Sequence, residues 1–140
     1  MAGAPMPRIV LELTEHTPVP DYDALNDALA PYRRAGMRIA VDDLGAGHAT
    51  LLHALRVEPD VVKLDRSLIT GIGSDRRRLL LVAALVGWAE ALDTAVVAEG
   101  VECPEELAAL LEIGVHQAQG FLFGRPAERL VVGCRRRRHR

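Results

Sequence analysis

Five short runs of β-branched and aliphatic residues, at 8–13, 39–41, 61–64, 94–98 and 115–120, alternate along this chain with segments of helical spacing. Each run brings a polar side chain to its C-terminal end: Glu12, the pair Asp42 and Asp43, Lys63, Glu99 and Gln119. Alternation of strand and helix predicts a parallel sheet with helical crossovers. In barrels and open α/β sheets alike, the C-terminal edge of such a sheet is where sites are built. The expected fold is therefore α/β, and polar groups gathered at that edge are expected to serve one site.

The stretch Arg38–Gly47, RIAVDDLGAG, is the sharpest instance. The apolar run 39–41 stops at two adjacent carboxylates, and Gly45 and Gly47 follow. Successive side chains of a strand point to opposite faces, so neighbouring acids share a site only where the strand has ended and the backbone turns. Paired acids of this kind suit a divalent cation, because hard cations want several oxygen ligands. An isolated pair is more often an Asx-type turn that merely stops the strand. The matching polar ends of the other four runs favour a site.

The helical segments carry their own punctuation. Asp21 is placed to cap a helix over 22–35, with Leu25, Ala28, Leu29 and Tyr32 at helical spacing and Gly36 beyond its end. A short helix is predicted over 49–55. A longer one over 75–92 is so evenly apolar that packing on two sides is expected. Cys103 precedes a helix with Pro104 at its first position, Glu105 and Glu106 in its first turn, and an end before Gly114. The run 8–13 is expected to be a buried strand.

A chain of 140 residues with 49% hydrophobic and 26% charged residues is long enough for one domain with a real core. The two cysteines, Cys103 and Cys134, supply neither a disulfide framework nor metal-type spacing, which fits a reduced, cytoplasmic setting. No apolar h-region opens the chain, and the longest apolar run, 79–89, is far short of the ~20 residues a membrane span needs. The net charge is −2, but the tail 135–140, RRRRHR, holds five arginines, and without them the body stands at −7. Six basic residues without interleaved aromatics read as a solvated, disordered end, so no specific nucleic-acid partner is expected. His48, in the turn after the acids, lacks a neighbour to orient it as a base and reads as a loop residue; His16, His53 and His116 earn no role.

Five motifs in the same order resemble the C-terminal part of the EAL family, bacterial phosphodiesterases that hydrolyse cyclic di-GMP on a modified TIM barrel. They are LELTE at 11–15, DDLGAG at 42–47, VVKLDRSLI at 61–69, VVAEGVE at 96–102 and QGFLFGRP at 119–126. The resemblance implies an incomplete TIM-type (β/α) barrel of about five parallel strands over 8–127, flanked by a disordered N-terminus, 1–7, and a basic tail, 128–140. It implies that Glu12 and Asp42 ligate Mg²⁺ or Mn²⁺, with Asp43 shared with or serving a second ion of a two-metal site. Lys63 would hold the attacking water or a phosphate oxygen, Glu99 would assist metal or water, and Gln119 would help position the site. Glu15 would pin the loop after Asp43, and Glu102 would be a further supporting group. The structural alternatives are a Lys63–Asp65 pair, a Glu99 that merely approaches a helix, and a Gln119 that satisfies a backbone group.

A full TIM barrel takes about 250 residues and eight strands. The strand with the E-A-L signature, whose glutamate is a metal ligand in the family, finds no counterpart, and neither does a later strand whose asparagine is another. The family's DDFGTGYSS loop, which couples dimerisation to metal binding, stands here as DDLGAGHAT. The expectation is a truncated phosphodiesterase domain, inactive by itself, whose partners are cyclic di-GMP and either a second copy or a complementing chain. The alternative is a non-catalytic nucleotide- or protein-binding module derived from an EAL domain.

Overall fold

In the computed structural model, which describes residues 9–14, 19–45, 51–115 and 117–126, the apolar runs pair side by side in the order in which they occur. The elements are β1 (Val10–Leu13), α1 (Tyr22–Arg34), β2 (Arg38–Leu44), α2 (Leu51–Val57), β3 (Val61–Leu64), α3 (Arg66–Ile69), α4 (Arg76–Ala91), β4 (Ala95–Ala98), α5 (Pro104–Glu112) and β5 (Gln117–Ala118). All neighbouring strands are parallel and their order is β1-β2-β3-β4-β5. A doubly wound sheet reverses its strand order part-way; this one does not. With right-handed crossovers, an unreversed order lays every connecting helix on the same face. The result is a segment of a TIM-type barrel wall, five strands wide.

Strand parity then sorts the residues. Ile39, Val41, Val62, Leu64 and Ala98 join the core with Leu29 of α1, Ala54 and Val57 of α2, Val82 and Val86 of α4, and Leu110 of α5. Ala40, Val61 and Lys63 lie on the other, helix-free face. β3 is the central strand, and all four of its residues are buried.

The helices start where the sequence signals them. The Asp21 carboxylate accepts from Ala24 N at 3.0 Å, and that of Asp75 accepts from Arg77 N and Arg78 N. Pro104 stands at the start of α5 behind Cys103. The helix α3 was not anticipated. Asp65 caps it by accepting from Ser67 N at 2.8 Å.

Three expectations are corrected. β1 is not a buried strand: Val10 and Leu11 are each 37% exposed, because among the described residues β1 pairs with β2 on one side alone. α4 packs on one face, not two; Val82, Val86 and Ala89 are buried, whereas Leu80 and Leu81 stand more than half exposed. β2 does not stop at the acids but runs through them to Leu44, with its register to β3 shifting between Val41 and Leu44. The flanking segments 1–7 and 128–140, and residues Glu15, His16, His48, His116 and Cys134, lie outside the described residues.

Candidate functional site

The register of the sheet brings the polar strand ends together. Glu12 lies opposite Ala40 on β2, two residues before Asp42. Lys63 lies opposite Val97, two residues before Glu99, and Val97 lies opposite Gln117, two residues before Gln119. By parity, Glu12, Asp42, Lys63, Glu99 and Gln119 all share the helix-free face.

The Lys63 ammonium is the hub. Its Nζ lies 2.7 Å from Glu99 Oε1, 3.0 Å from Asp42 Oδ1 and 3.2 Å from Glu12 Oε1. Gln119 Nε2 donates to Glu99 Oε1, the oxygen that also faces Lys63. Asp65 takes no part, since its carboxylate caps α3.

Parity alone would turn Asp43 toward the helices. The irregularity in β2 prevents this. Asp43 sits at φ 57°, in the left-handed region that a non-glycine residue enters only at a cost, and its N–H donates to Asp42 Oδ1 at 3.0 Å. A bulge of this kind re-aims a side chain. Oxygens of Asp42, Asp43 and Glu99 consequently lie within 4.8 Å of one another. The acids thus share a site through a bulge within the strand, not through its termination.

Three carboxylates around one ammonium, with Asp43 beside two of them, leave the cluster strongly negative. Burial pulls the Lys63 ammonium toward its neutral form, but hydrogen bonds to Glu99, Asp42 and Glu12 outweigh it and hold its pKa above the ordinary lysine value. Burial pushes the Glu99 carboxyl upward, and the negative charges of Asp42 and Asp43 add to that push. Lys63 opposes them without cancelling them. The two directions are compatible, because one cation shared among several anions is well satisfied while each anion is not.

The donor set fits a hard divalent cation. Carboxylate oxygens are its natural ligands, and opposite oxygens around such an ion stand about 4.2–5.2 Å apart, twice a typical metal–oxygen distance. Beside Glu99 and Gln119 opens a cavity of about 550 Å³, lined also by Glu102, Arg66, Phe121 and Arg125. Arg66 Nη2 pairs with Glu102 Oε2 at 3.0 Å, and the Arg125 guanidinium lies over the Phe121 ring, 4.6 Å from its centroid.

Sequence reasoning passed over Arg66, Phe121, Arg125 and Glu106. Only Glu106 carried a usable signal, an acid three residues after the residue that precedes Pro104, the spacing of a capping box. His53 is buried and bonded to Tyr22 through Nδ1 at 2.9 Å, which ties α1 to α2 away from the cluster.

The family profile described as "EAL domain" matches residues 1–126. The chain belongs to the EAL domain family. Among curated relatives, it is 36% identical over 126 residues to the bifunctional diguanylate cyclase/cyclic di-GMP phosphodiesterase MucR of Pseudomonas aeruginosa, covering 89% of this chain and 18% of that protein. It is 37% identical over 119 residues to the probable cyclic di-GMP phosphodiesterase PdeN of Escherichia coli K12, covering 85% and 23%. Among solved EAL structures, Klebsiella pneumoniae BlrP1 in a manganese/cy-diGMP complex matches with a TM-score of 0.80 at 37% identity, over 88% of this chain and 31% of that one. The EAL domain of Mycobacterium smegmatis DcpA matches with a TM-score of 0.81 at 34% identity, over 87% and 55%. This chain therefore spans about a fifth of the length of those two curated EAL relatives. Among the described residues, no helix is long and apolar enough to cross a membrane.

Proposed function

We propose that this chain carries the C-terminal portion of a site that hydrolyses cyclic di-GMP to linear pGpG. The meeting of Glu12, Asp42 and Glu99 around the Lys63 ammonium on the helix-free face carries the reading. Its relatives named as cyclic di-GMP phosphodiesterases, and a neighbour solved with manganese and the nucleotide, supply the substrate. Asp42, Asp43 and Glu99 would hold Mg²⁺ or Mn²⁺, with Glu12 a further oxygen donor of the same kind and Asp43 available to a second ion. Bound there, such cations acidify water and draw charge from a phosphoryl oxygen.

The chain's own groups divide the remaining work. Lys63 stays an ammonium throughout the neutral range, so it donates to a phosphate oxygen or to the attacking water and never acts as a base. Glu99, the carboxylate pushed upward, would accept the proton of that water as its oxygen bonds to phosphorus and the P–O3′ bond breaks, and the departing O3′ would take a proton from solvent. Gln119 fixes the Glu99 carboxylate by donating to it. Glu102 and Arg66 border the cavity that receives the rest of the nucleotide, and Glu15 would support the loop after Asp43.

Calorimetry of cyclic di-GMP with Mn²⁺ tests this. Binding is expected to need the cation, to reverse with chelator and to vanish in Asp42→Asn. Turnover by the isolated 140-residue polypeptide is expected to be slight, because the open wall leaves the Glu12 side chain 49% exposed to water. Robust linearisation abolished by Asp42→Asn would show that five strands suffice. Binding that survives both chelator and Asp42→Asn would favour the second reading, a non-catalytic nucleotide- or protein-binding module, to which the apolar Val10 and Leu11 on the edge strand lend support.

A further inference from the structure

Glu106 is 5% exposed, yet among the described residues no basic side chain pairs with it. A buried carboxylate is costly unless its oxygens are fully hydrogen-bonded, and here three backbone amides do that. Oε2 accepts from Glu102 N at 2.9 Å and from Cys103 N at 3.4 Å; Oε1 accepts from Gly71 N at 3.0 Å. A capping box needs the Cys103 amide alone. The shorter bonds go instead to Glu102 and to Gly71, the latter 35 residues away in the turn that follows α3.

That turn is mechanically connected to both acid-bearing loops. α3 lies between them. A Cβ on Gly45, just after Asp42 and Asp43, would sit 2.5 Å from Leu68, and one on Gly100, just after Glu99, would sit 2.6 Å from Arg66. Ser67 Oγ also donates to Gly45 O at 3.3 Å. By drawing Gly71 toward Glu102, the Glu106 carboxylate seats α3 as a spacer between the two loops. The carboxylates of a cation site must be held to within about 0.5 Å, so the spacer sets whether Glu99 reaches Asp42 and Asp43.

We infer that Glu106 is a positioning residue, which fixes the loop carrying Glu99 against α3 and thereby the spacing of the acidic cluster. The inference rests on the cation-site reading above and is tested apart from it. Burial favours the neutral acid, but the three amides reverse this and keep Glu106 ionised.

The test combines amide hydrogen exchange on the metal-free protein with Mn²⁺ titration, on wild type, Glu106→Ala, Glu106→Gln and Glu99→Gln. In Glu106→Ala, exchange at the amides of residue 71 and of 99–103 is expected to rise at least about tenfold, with α1 and β2 unchanged, and Mn²⁺ affinity to fall about 10- to 100-fold, the usual loss on removing an outer support of a metal site. Glu106→Gln, which keeps one acceptor oxygen, is expected to fall between, and it carries the same comparison if the alanine variant does not fold. Unchanged exchange at 99–103, or a rise spread evenly over the protein, would overturn the inference, and so would wild-type Mn²⁺ affinity in Glu106→Ala where Glu99→Gln has lost it. If Glu99→Gln binds Mn²⁺ as well as wild type, the cation site itself is wrong, and the exchange pattern alone decides on Glu106.

Discussion

Lys63 shows how a single buried residue can be held by its surroundings and hold them in turn. Replacing it with methionine keeps the volume and removes the charge that Glu12, Asp42 and Glu99 share. Removing one partner of a buried ion pair typically costs about 3–5 kcal/mol, and chemical denaturation at pH 7 is expected to show a loss of that order. The raised lysine pKa means its stabilising contribution is fully present below the ordinary value of 10.5 and is lost as pH rises through the folded value. For Glu99 the pH slope has the same sign but the charged form is the costly one, since a raised carboxyl pKa costs nothing below 4.5 and costs stability once the group ionises above it. The deficit of Lys63→Met should accordingly narrow as pH falls toward 4.5, where Glu99, left without its cation, takes up a proton. A deficit independent of pH would mean that Lys63 acts through packing.

At the scale of the element, β2 decides the site. A regular strand would send Asp42 and Asp43 to opposite faces, and the left-handed backbone at Asp43 brings both to one. Asp43→Gly separates the two consequences: glycine enters that conformation freely, so stability is expected to hold or to rise by up to about 1 kcal/mol, while Mn²⁺ affinity falls with the lost carboxylate. Urea denaturation and metal titration on the same sample check the pair. This bulge was not legible in the sequence. DDLG reads equally as the end of a strand, and only the pairing of Leu44 with Leu64 reveals that the strand continues. The same limit hid α3, whose four residues are too few for helical periodicity, and the exposed side of α4, because an apolar helix does not announce which of its faces finds a neighbour. What was legible came from local chemistry, as with Asp21, Asp75 and Pro104 at helix starts and Val61–Leu64 as a strand. The polar strand ends were legible for a different reason: parallel register carries them to one edge whatever the loops do.

For the molecule as a whole, the outer edges of β1 and β5 pair with no strand among the described residues, and Glu12 stands on the more open side. The exposure of β1 was misjudged from sequence for this reason, since an apolar run does not reveal how many strands flank it. The excess negative charge of the cluster is a standing cost to the fold that a bound cation would relieve. Mn²⁺ at about 100 times its dissociation constant is expected to stabilise the folded chain by about 2.7 kcal/mol, read as a rise in the unfolding midpoint that chelator reverses and Asp42→Asn abolishes. A midpoint indifferent to Mn²⁺ would leave the acidic cluster without a ligand.

The pleat of β2 and β3 has a consequence for how such a protein can change. Ile39, Val41, Val62 and Leu64 answer to the helices, whereas Asp42 and Lys63, interleaved with them, would answer to the ligand of the proposed site. Mutations that retune the reagents therefore need not disturb the oil beneath, and one inherited scaffold can drift between catalyst and receptor while its interior stays the same.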